Sequence, residues 1–482
     1  MPKLSLDRDR IGRLRAGLGA AGFTAAATAA ALGQELGAVS RARERPVLLR
    51  RLERADARLA PALALFVLEQ PVPADDVERS LAPLRADDLL ELGLAEAAGD
   101  SLRATLRILP HWPLLLASDG TDRSGEHDLV TGVTRPATLL GQLTVRRPVR
   151  RALDIGTGNG VLALLCAPHA EEVVATDVNE HALELAAFNA ALNGIENVDF
   201  RLGSFLEPVE GERFGLVVSN PPYVVSPESQ FLFRDSGLGG DRLSEEIMRL
   251  VPEALEEDGY ASVTISWMAE GDDVAERPRS WLAGSGCDAW VLHTSTDDTL
   301  TTAAMWNRDL EDDPERYGAA IDRWVEWYGE QGIEALAYGV VVLRRRSGKN
   351  WVRTTNLPAG AIAPSSDHLL RLFAAQDFLA GAGDLAGEVV RPAPELVVRH
   401  SLRSAAGSWA ATNTELVLEG GLGFTAALDG PSAAVVNGLD GRPLGEVVAG
   451  ARASADVPAE EFDVAALSLA RRLLELGFVV PV

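Results

Sequence analysis

The stretch from Asp154 to Tyr223 constrains this chain more than any other. Three glycines alternate in Gly156-Thr157-Gly158-Asn159-Gly160, directly after Asp154-Ile155. The apolar run Arg151–Ile155 reads as a short buried parallel strand. Val161–Ala167 is apolar and helix-like. A strand, a Gly-rich turn and a helix bring backbone N–H groups to a helix N-terminus. Glycine there lets a ligand approach the backbone, because no Cβ intervenes.

A second strand, Glu172–Thr176, ends in Asp177. An acid at that strand end can accept hydrogen bonds from both hydroxyls of a ribose. A helix is predicted from about Glu180 to Leu192. A third strand, Val198–Leu202, leads to Gly203-Ser204-Phe205, and a fourth, Phe214–Ser219, delivers Asn220-Pro221-Pro222-Tyr223. Every ligand candidate falls at a strand's carboxyl end, where open α/β sheets bind their ligands.

The dinucleotide fingerprint needs a glycine where this chain has Val161, and a phosphate-binding P-loop needs a lysine that this loop lacks. Asp154, ahead of the loop, suits a cationic ligand better than a pyrophosphate. With Asp177, the pattern resembles class I S-adenosylmethionine-dependent methyltransferases. The resemblance implies an α/β fold with a Rossmann-like seven-stranded sheet, strand seven antiparallel between strands five and six. It implies S-adenosyl-L-methionine as cofactor and no metal, since the sulfonium is already activated. Asp154, Gly156, Thr157, Gly158 and Gly160 would face the methionine part, and Asp177 the ribose. Ser204 and Phe205 would flank the adenine, and Asn220 would border both cofactor and acceptor. Ser204 stands where the family usually carries an acid; serine can still accept one hydrogen bond from the adenine amine.

Asn220-Pro221-Pro222-Tyr223 narrows the chemistry. Successive prolines fix their carbonyls and supply no competing N–H. The Asn220 side-chain oxygen and the Pro221 carbonyl can then accept from one NH₂ group, and Tyr223 can stack on the plane that bears it. Pro222 holds the turn between them. The tetrapeptide resembles the signature of amino-methyltransferases, which include release-factor glutamine, adenine-specific DNA and ribosomal-RNA guanine methyltransferases, and it does not choose among them. The resemblance implies methylation of a planar amino group on a protein glutamine or on a base in RNA or DNA. A small-molecule amide is a third acceptor class. A degenerate fold that only binds RNA or protein also stays open; Ser204 favours it and the intact tetrapeptide opposes it. Val161 and the lack of hydride chemistry disfavour a nicotinamide dehydrogenase.

The chain has 482 residues and a formal net charge of −25, which disfavours non-specific nucleic-acid affinity for the whole chain. Its two cysteines, Cys166 and Cys287, are far apart and imply neither a disulfide framework nor a zinc site. Met1–Arg15 carries charges and no apolar signal core, and no apolar run is long enough to span a membrane. A cytoplasmic location is therefore expected.

Three domains are expected: residues 1–120, 121–346 and 347–482. The first reads as helices ending in two strand-like runs, Leu94–Ala97 and Leu102–Ile108, a pattern similar to a winged helix. Arg41, Arg43, Arg45, Arg50, Arg51, Arg54 and Arg58 crowd together. Interleaved Glu44, Glu53 and Asp56 favour a solvated helix face over a nucleic-acid patch. Val133–Thr138 partly matches the Pro-Arg-Pro-Glu-Thr segment of glutamine methyltransferases, with Thr134 for the first Pro and Ala137 for the Glu. That segment's family role is to close over the cofactor; an ordinary linker is the alternative.

Beyond Tyr223, Val224–Gly240 reads as a loop over the substrate, where Arg234, Asp235 and Arg242 either bind a flanking backbone or are solvated charges. A helix Leu243–Leu255, strands Tyr260–Trp267 and Ala289–Thr294, a helix Asp312–Gln331 and a strand Ile333–Arg345 complete the sheet domain. Its tryptophans Trp267, Trp281, Trp290, Trp306, Trp324 and Trp327 read as packing core rather than a pocket. In the last domain Leu396–Val398, Leu416–Leu418 and Ala433–Val436 read as strands. Ala459–Leu476 reads as a helix closed by Gly477, and Phe478–Val480 as a final strand. A winged-helix-like recognition module is the expectation there.

Overall fold

The computed structural model describes residues 3–34, 44–111, 113–123, 126–228, 240–271, 273–360, 362–405 and 408–482. Two compact units emerge, one of residues 1–141 with 148–355, the other of residues 142–147 with 356–482. Arg41, Arg43, Arg234 and Asp235 lie outside the described residues. No described helix is long and apolar enough to cross a membrane.

The first unit is built on an eight-stranded sheet. Its strands are β1 (Val149–Ile155), β2 (Ala170–Asp177), β3 (Val198–Leu202), β4 (Phe214–Ser219), β5 (Leu255–Met268), β6 (Cys287–Asp298), β7 (Ala335–Arg345) and β8 (Val352–Asn356). Their spatial order is β3-β2-β1-β4-β5-β7-β6-β8. The pairs β2–β3, β1–β2, β1–β4 and β4–β5 are parallel. β7 lies antiparallel between β5 and β6. This is a Rossmann-like class I methyltransferase fold, with helical regions before and after it in sequence. β8 extends the expected seven strands to eight. Val352–Asn356 lies beside β6, which the polar run around Ser347 conceals in the sequence.

Every residue of β4 is buried, as a central parallel strand covered on both faces must be. β3 is an edge strand, half-exposed, and carries Asp199 and Arg201. The helix Glu180–Asn193 starts where Asn179 accepts the His181 N–H at 3.0 Å and stops at Gly194, in the left-handed conformation.

That helix also anchors the N-terminal region. Ala182, Leu185, Phe188 and Leu192 share one core with Ile11, Leu14, Leu18, Phe66 and Leu89. Asn189 and Asn193, one turn apart, then act as a surrogate strand. Asn189 accepts from the Ala117 N–H at 2.7 Å and donates to the Ala117 carbonyl at 3.0 Å. Asn193 does the same with Leu115 at 2.9 and 2.7 Å. The edge of the hairpin Leu106–His111/Leu114–Asp119 is thereby covered. Leaving the buried Ala117 N–H without its partner would cost about 1–3 kcal/mol.

Among the described residues of the N-terminal region, six helices precede or flank a three-stranded antiparallel sheet of Val72–Pro73, Ser101–Ala104 and Ala95–Ala98. The run Leu102–Ile108 is not one strand. Thr105 breaks it, donating its N–H to Leu94 and its hydroxyl to Gly93. Arg50, Arg51, Arg54 and Arg58 are exposed, and Arg51 also bonds the Leu32 carbonyl.

The second unit holds a three-stranded antiparallel sheet of Leu396–Ala405, Ser408–Leu418 and Thr425–Leu428, and a pair, Val390–Pro392 with Val479–Pro481. The hairpin strands are much longer than the short apolar runs indicated. Ala433–Val436, expected as a strand, lies inside the helix Gly430–Asn437. Asp429 caps that helix, accepting the Ser432 N–H at 2.8 Å, and Pro431 sits in its first turn. The cap outweighs the strand preference of two valines.

The helix Ser366–Gly381 buries His368 between two glycines of positive φ, Gly421 and Gly477, where a Cβ would meet the imidazole. Its Nε2 donates to the Leu476 carbonyl at 2.9 Å and its Nδ1 accepts the Leu422 N–H at 3.2 Å. Burial depresses its pKa from 6.5 to about 4. The unfolded chain therefore takes up the proton first. Stability is complete above pH 6.5 and falls as pH drops through 4, by about 3 kcal/mol. Hydrogen exchange at the Leu422 amide should report that loss between pH 7 and 4, and His368→Gln should flatten it. An equally steep profile in the variant would contradict this role.

Candidate active site

The glycine loop leaves β1 with Gly156 at φ 71, Gly158 at φ 54 and Gly160 at φ 87. The Gly156 and Thr157 N–H groups both donate to the Thr176 carbonyl at 2.9 Å, fastening the loop to the end of β2. A Cβ at Gly156 or Gly158 would meet nothing within 4 Å, so these residues border open space. A Cβ at Gly160 would lie 3.0 Å from the Ala186 Cβ and 3.2 Å from its Cα. Gly160 thus serves helix packing, while the other two leave backbone bare toward a ligand.

Asp154 lies fully buried beneath the loop. Its Oδ2 accepts from the Thr157 hydroxyl at 2.7 Å and the Ala163 N–H at 3.0 Å. Its Oδ1 has no hydrogen-bond partner among the described residues. Burial pushes its pKa up to about 7, against the pull of those two donors, and the nearby Asp177 adds to the rise. The amides expected to greet a ligand at the helix N-terminus are mostly engaged. Val161 N–H goes to Asn159 Oδ1, Ala163 N–H to Asp154 and Leu164 N–H to the Gly160 carbonyl. The loop offers little to a phosphate.

Asp177 accepts from the Gly158 N–H and the Asn179 N–H, each at 2.9 Å. Burial raises its pKa above the usual carboxylate range. Two bonds fill about half of a carboxylate's four lone-pair sites, which leaves room for two hydroxyl donors. After β3, Gly203 packs under Pro208, and Phe205 adopts a left-handed φ of 46. The ring of Phe205 packs against the sheet core. Ser204 is half-buried, and its N–H reaches Glu207 at 3.3 Å.

β4 ends at Ser219, paired in register with Ile155 at the end of β1. The Ser219 hydroxyl also donates to the Ile155 carbonyl at 2.9 Å. Gly156 and Asn220 thus leave adjacent strands side by side, about 5 Å apart. The Thr264 hydroxyl of β5 donates to Asn220 Oδ1 at 2.6 Å. The Pro221 carbonyl accepts the Tyr223 N–H at 2.8 Å and keeps a second lone pair. Burial raises the Tyr223 phenol well above its ordinary pKa, with Tyr338 adding to it, so the ring stays neutral.

The chain after Tyr223 enters an aromatic cluster. Val224 and Val225 pack with Trp324, Tyr328, Ile333 and Leu336. Tyr328 donates to the Val225 carbonyl at 2.8 Å, and the Trp324 Nε1 and Arg323 both reach Glu228. Trp267, Trp281, Trp290 and Trp324 are buried packing residues, as expected.

Residues 128–131 border the glycine loop. Asn159 donates to the Thr131 carbonyl at 3.2 Å, and Asn179 to the Asp128 carbonyl at 2.8 Å. Behind it Asp119 gathers Arg123 at 3.0 Å, His181 at 2.8 Å and the Val130 N–H at 2.7 Å. Thr134 caps the helix Arg135–Gln142, accepting the Ala137 N–H at 3.3 Å. Sequence reasoning missed Ser219, Thr264, Ser266 and the Asp119 network. The one available signal was the alternation of Ser262, Thr264 and Ser266 within an apolar strand. Among the described residues no three His, Cys, Asp or Glu groups form a metal cluster.

A family model for the methyltransferase small domain matches residues 135–237. Two domain models of unknown function, DUF7059 and DUF7782, match residues 20–105 and 370–481. The release factor glutamine methyltransferase of Xylella fastidiosa is 37% identical over 135 residues, 28% of this chain and 45% of that protein. The ribosomal protein uL3 glutamine methyltransferase of Bradyrhizobium diazoefficiens is 36% identical over 149 residues, 28% of this chain and 47% of that protein. The release factor glutamine methyltransferase of Deinococcus radiodurans is 52% identical over 77 residues, 15% and 27% of the two chains. The chain spans about half the length, or less, of these curated relatives. Within the matched segment it has a class I methyltransferase fold related to that of release-factor glutamine methyltransferases, a fold that implies S-adenosylmethionine as cofactor.

Proposed function

We propose that this chain is an S-adenosyl-L-methionine-dependent N-methyltransferase that acts on a planar amino group, with a protein glutamine amide as acceptor. One observation carries the reading. Asn220-Pro221-Pro222-Tyr223 leaves the sheet beside a glycine loop whose Gly156 and Gly158 border open space. Asp154, Thr157 and the loop backbone would hold the methionine part, Asp177 the ribose hydroxyls, and Ser204 and Phe205 the adenine. The unpartnered Asp154 Oδ1 and the free lone pairs of Asp177 fit a cationic, ribose-bearing ligand.

Bound, the cofactor supplies a methyl carbon that a nitrogen lone pair displaces from sulfur, the C–S electron pair leaving with sulfur and one nitrogen proton passing to water. Asn220 Oδ1 and the Pro221 carbonyl would accept the two hydrogens of the amine and draw its lone pair toward the incoming carbon. Tyr223, kept neutral by burial, would pack on the plane of the acceptor. Positioning and hydrogen bonding supply the catalysis. The glutamine reading draws on the names of the two kinds of curated relative and on the acidic chain. Exposed Arg50, Arg54 and Arg58 favour the second reading, an exocyclic base amine in RNA or DNA. We propose, too, that residues 1–120 and 347–482 serve recognition of a macromolecular acceptor, with a 121–346 domain between them in sequence; the separate family-model matches support that division.

Cofactor carrying a labelled methyl group, incubated with cell extract and then split by protease or nuclease, tests the acceptor. Label released by protease alone is expected, and label released only by nuclease would overturn the glutamine reading. Asn220→Ala should slow the labelling by about 100-fold, to a residual rate that can still be measured. Asp177→Ala should weaken cofactor binding by about 100-fold in calorimetry, since two charge-assisted bonds are lost. Unchanged affinity would remove Asp177 from the cofactor site.

A further inference from the structure

β5 carries hydroxyls at alternate positions, Ser262, Thr264 and Ser266, inside its otherwise apolar second half, residues 260–268. Residues two apart on a strand share a face. All three are buried, Thr264 at 3% exposure. Buried hydroxyls need partners, and two of these find theirs in the Asn220–Tyr223 segment. Thr264 Oγ1 lies 2.6 Å from Asn220 Oδ1 and 3.5 Å from the Ser219 carbonyl. It has one proton to donate, and the shorter contact takes it. The Ser266 hydroxyl donates to the Tyr223 carbonyl. The Ser266 N–H in turn donates to the Ser244 hydroxyl at 3.3 Å, which fixes the strand against the helix Arg242–Leu250. One strand face therefore grips both ends of the tetrapeptide.

The grip has a chemical consequence at Asn220. A side-chain amide can turn over and exchange its oxygen for its NH₂. An NH₂ turned toward an acceptor amine would set donor against donor. Turning Asn220 over here would place its Nδ2 against Thr264 and leave the Thr264 proton only the Ser219 carbonyl, at 3.5 Å, a poor hydrogen bond. The Thr264 hydroxyl thus selects the orientation in which Oδ1 is the acceptor. It occupies one lone pair of that oxygen and leaves the second for the substrate.

We propose that Thr264 is a positioning residue for methyl transfer, orienting the Asn220 amide so that its oxygen receives the acceptor NH₂, with Ser266 holding the opposite end of the segment. The proposal rests on the N-methyltransferase reading above. Thr264 touches neither acceptor nor cofactor in this scheme and works through Asn220.

Two substitutions separate the hydroxyl from the packing. Thr264→Val keeps the branched shape and removes the hydroxyl; Thr264→Ser keeps the hydroxyl and removes the methyl. The readout is the rate of labelled-methyl transfer from S-adenosylmethionine to acceptors in cell extract, at saturating cofactor. Thr264→Val should lower it about 10- to 100-fold, while the KM for S-adenosylmethionine stays within about twofold of wild type. Thr264→Ser should transfer within about threefold of wild type, the loss expected when a positioned hydroxyl is kept. The double variant Asn220→Ala/Thr264→Val should be no slower than Asn220→Ala, because the two residues act as one unit. A wild-type rate in Thr264→Val, or a Thr264→Ser enzyme slower than Thr264→Val, would overturn the proposal and leave Thr264 a packing residue. Absence of any transfer by the wild-type protein would instead overturn the N-methyltransferase reading on which it stands.

Discussion

The buried carboxylate of Asp154 is the point on which the glycine loop turns. Each hydrogen bond it makes closes the loop on itself, through the Thr157 hydroxyl and the Ala163 N–H. From the other side Asp177 holds the Gly158 N–H. Two acids back the loop, and burial has raised the pKa of both. Such a site repels a pyrophosphate and attracts a ligand with positive charge. The unsatisfied Oδ1 of Asp154 makes the same point at one atom.

From this loop the order of the sheet carries position to the Asn220–Tyr223 segment. Ile155 and Ser219 end adjacent parallel strands and are hydrogen-bonded to each other. Gly156 and Asn220, the next residues of the two strands, are therefore set side by side by backbone alone. β5 then fixes the Asn220 amide and the Tyr223 carbonyl, and the aromatic cluster around Trp324 and Tyr328 receives the next two valines. A segment with two prolines has few amides with which to hold itself, so its neighbours do the holding. The N-terminal region joins the same scaffold through Asn189 and Asn193, and it reaches the loop through Thr131 and Asp128.

Local chemistry decided what could be read in advance. Alternating glycines, an acid after β2 and the Asn-Pro-Pro-Tyr turn are contiguous signals, and the succession of strands and helices along the chain can be inferred from them and from the length of the apolar runs. The antiparallel place of β7 came from the family resemblance, not from pattern. β8 was hidden because Val352–Asn356 is a short, half-polar edge strand. Ala433–Val436 misled because composition favours a strand where a cap dictates a helix. Thr264 and Ser266 were visible only as polar residues in a strand; their partners lie about forty residues away and meet them only in the folded sheet. Asp119 with His181 and Arg123 was invisible for the same reason.

The most direct test is calorimetric titration of the protein with S-adenosylmethionine between pH 5.5 and 7. In the free protein burial pushes the Asp154 carboxyl up to about 7. A bound cation would favour its ionised form, and hydroxyl donors would do the same for Asp177, so the complex would hold fewer protons than its parts. Affinity should then rise with pH across this range, by up to about tenfold per unit, with release of protons measurable as a dependence of the heat on buffer ionisation. Failure to bind, or binding with no proton release and a flat pH profile, would contradict the account.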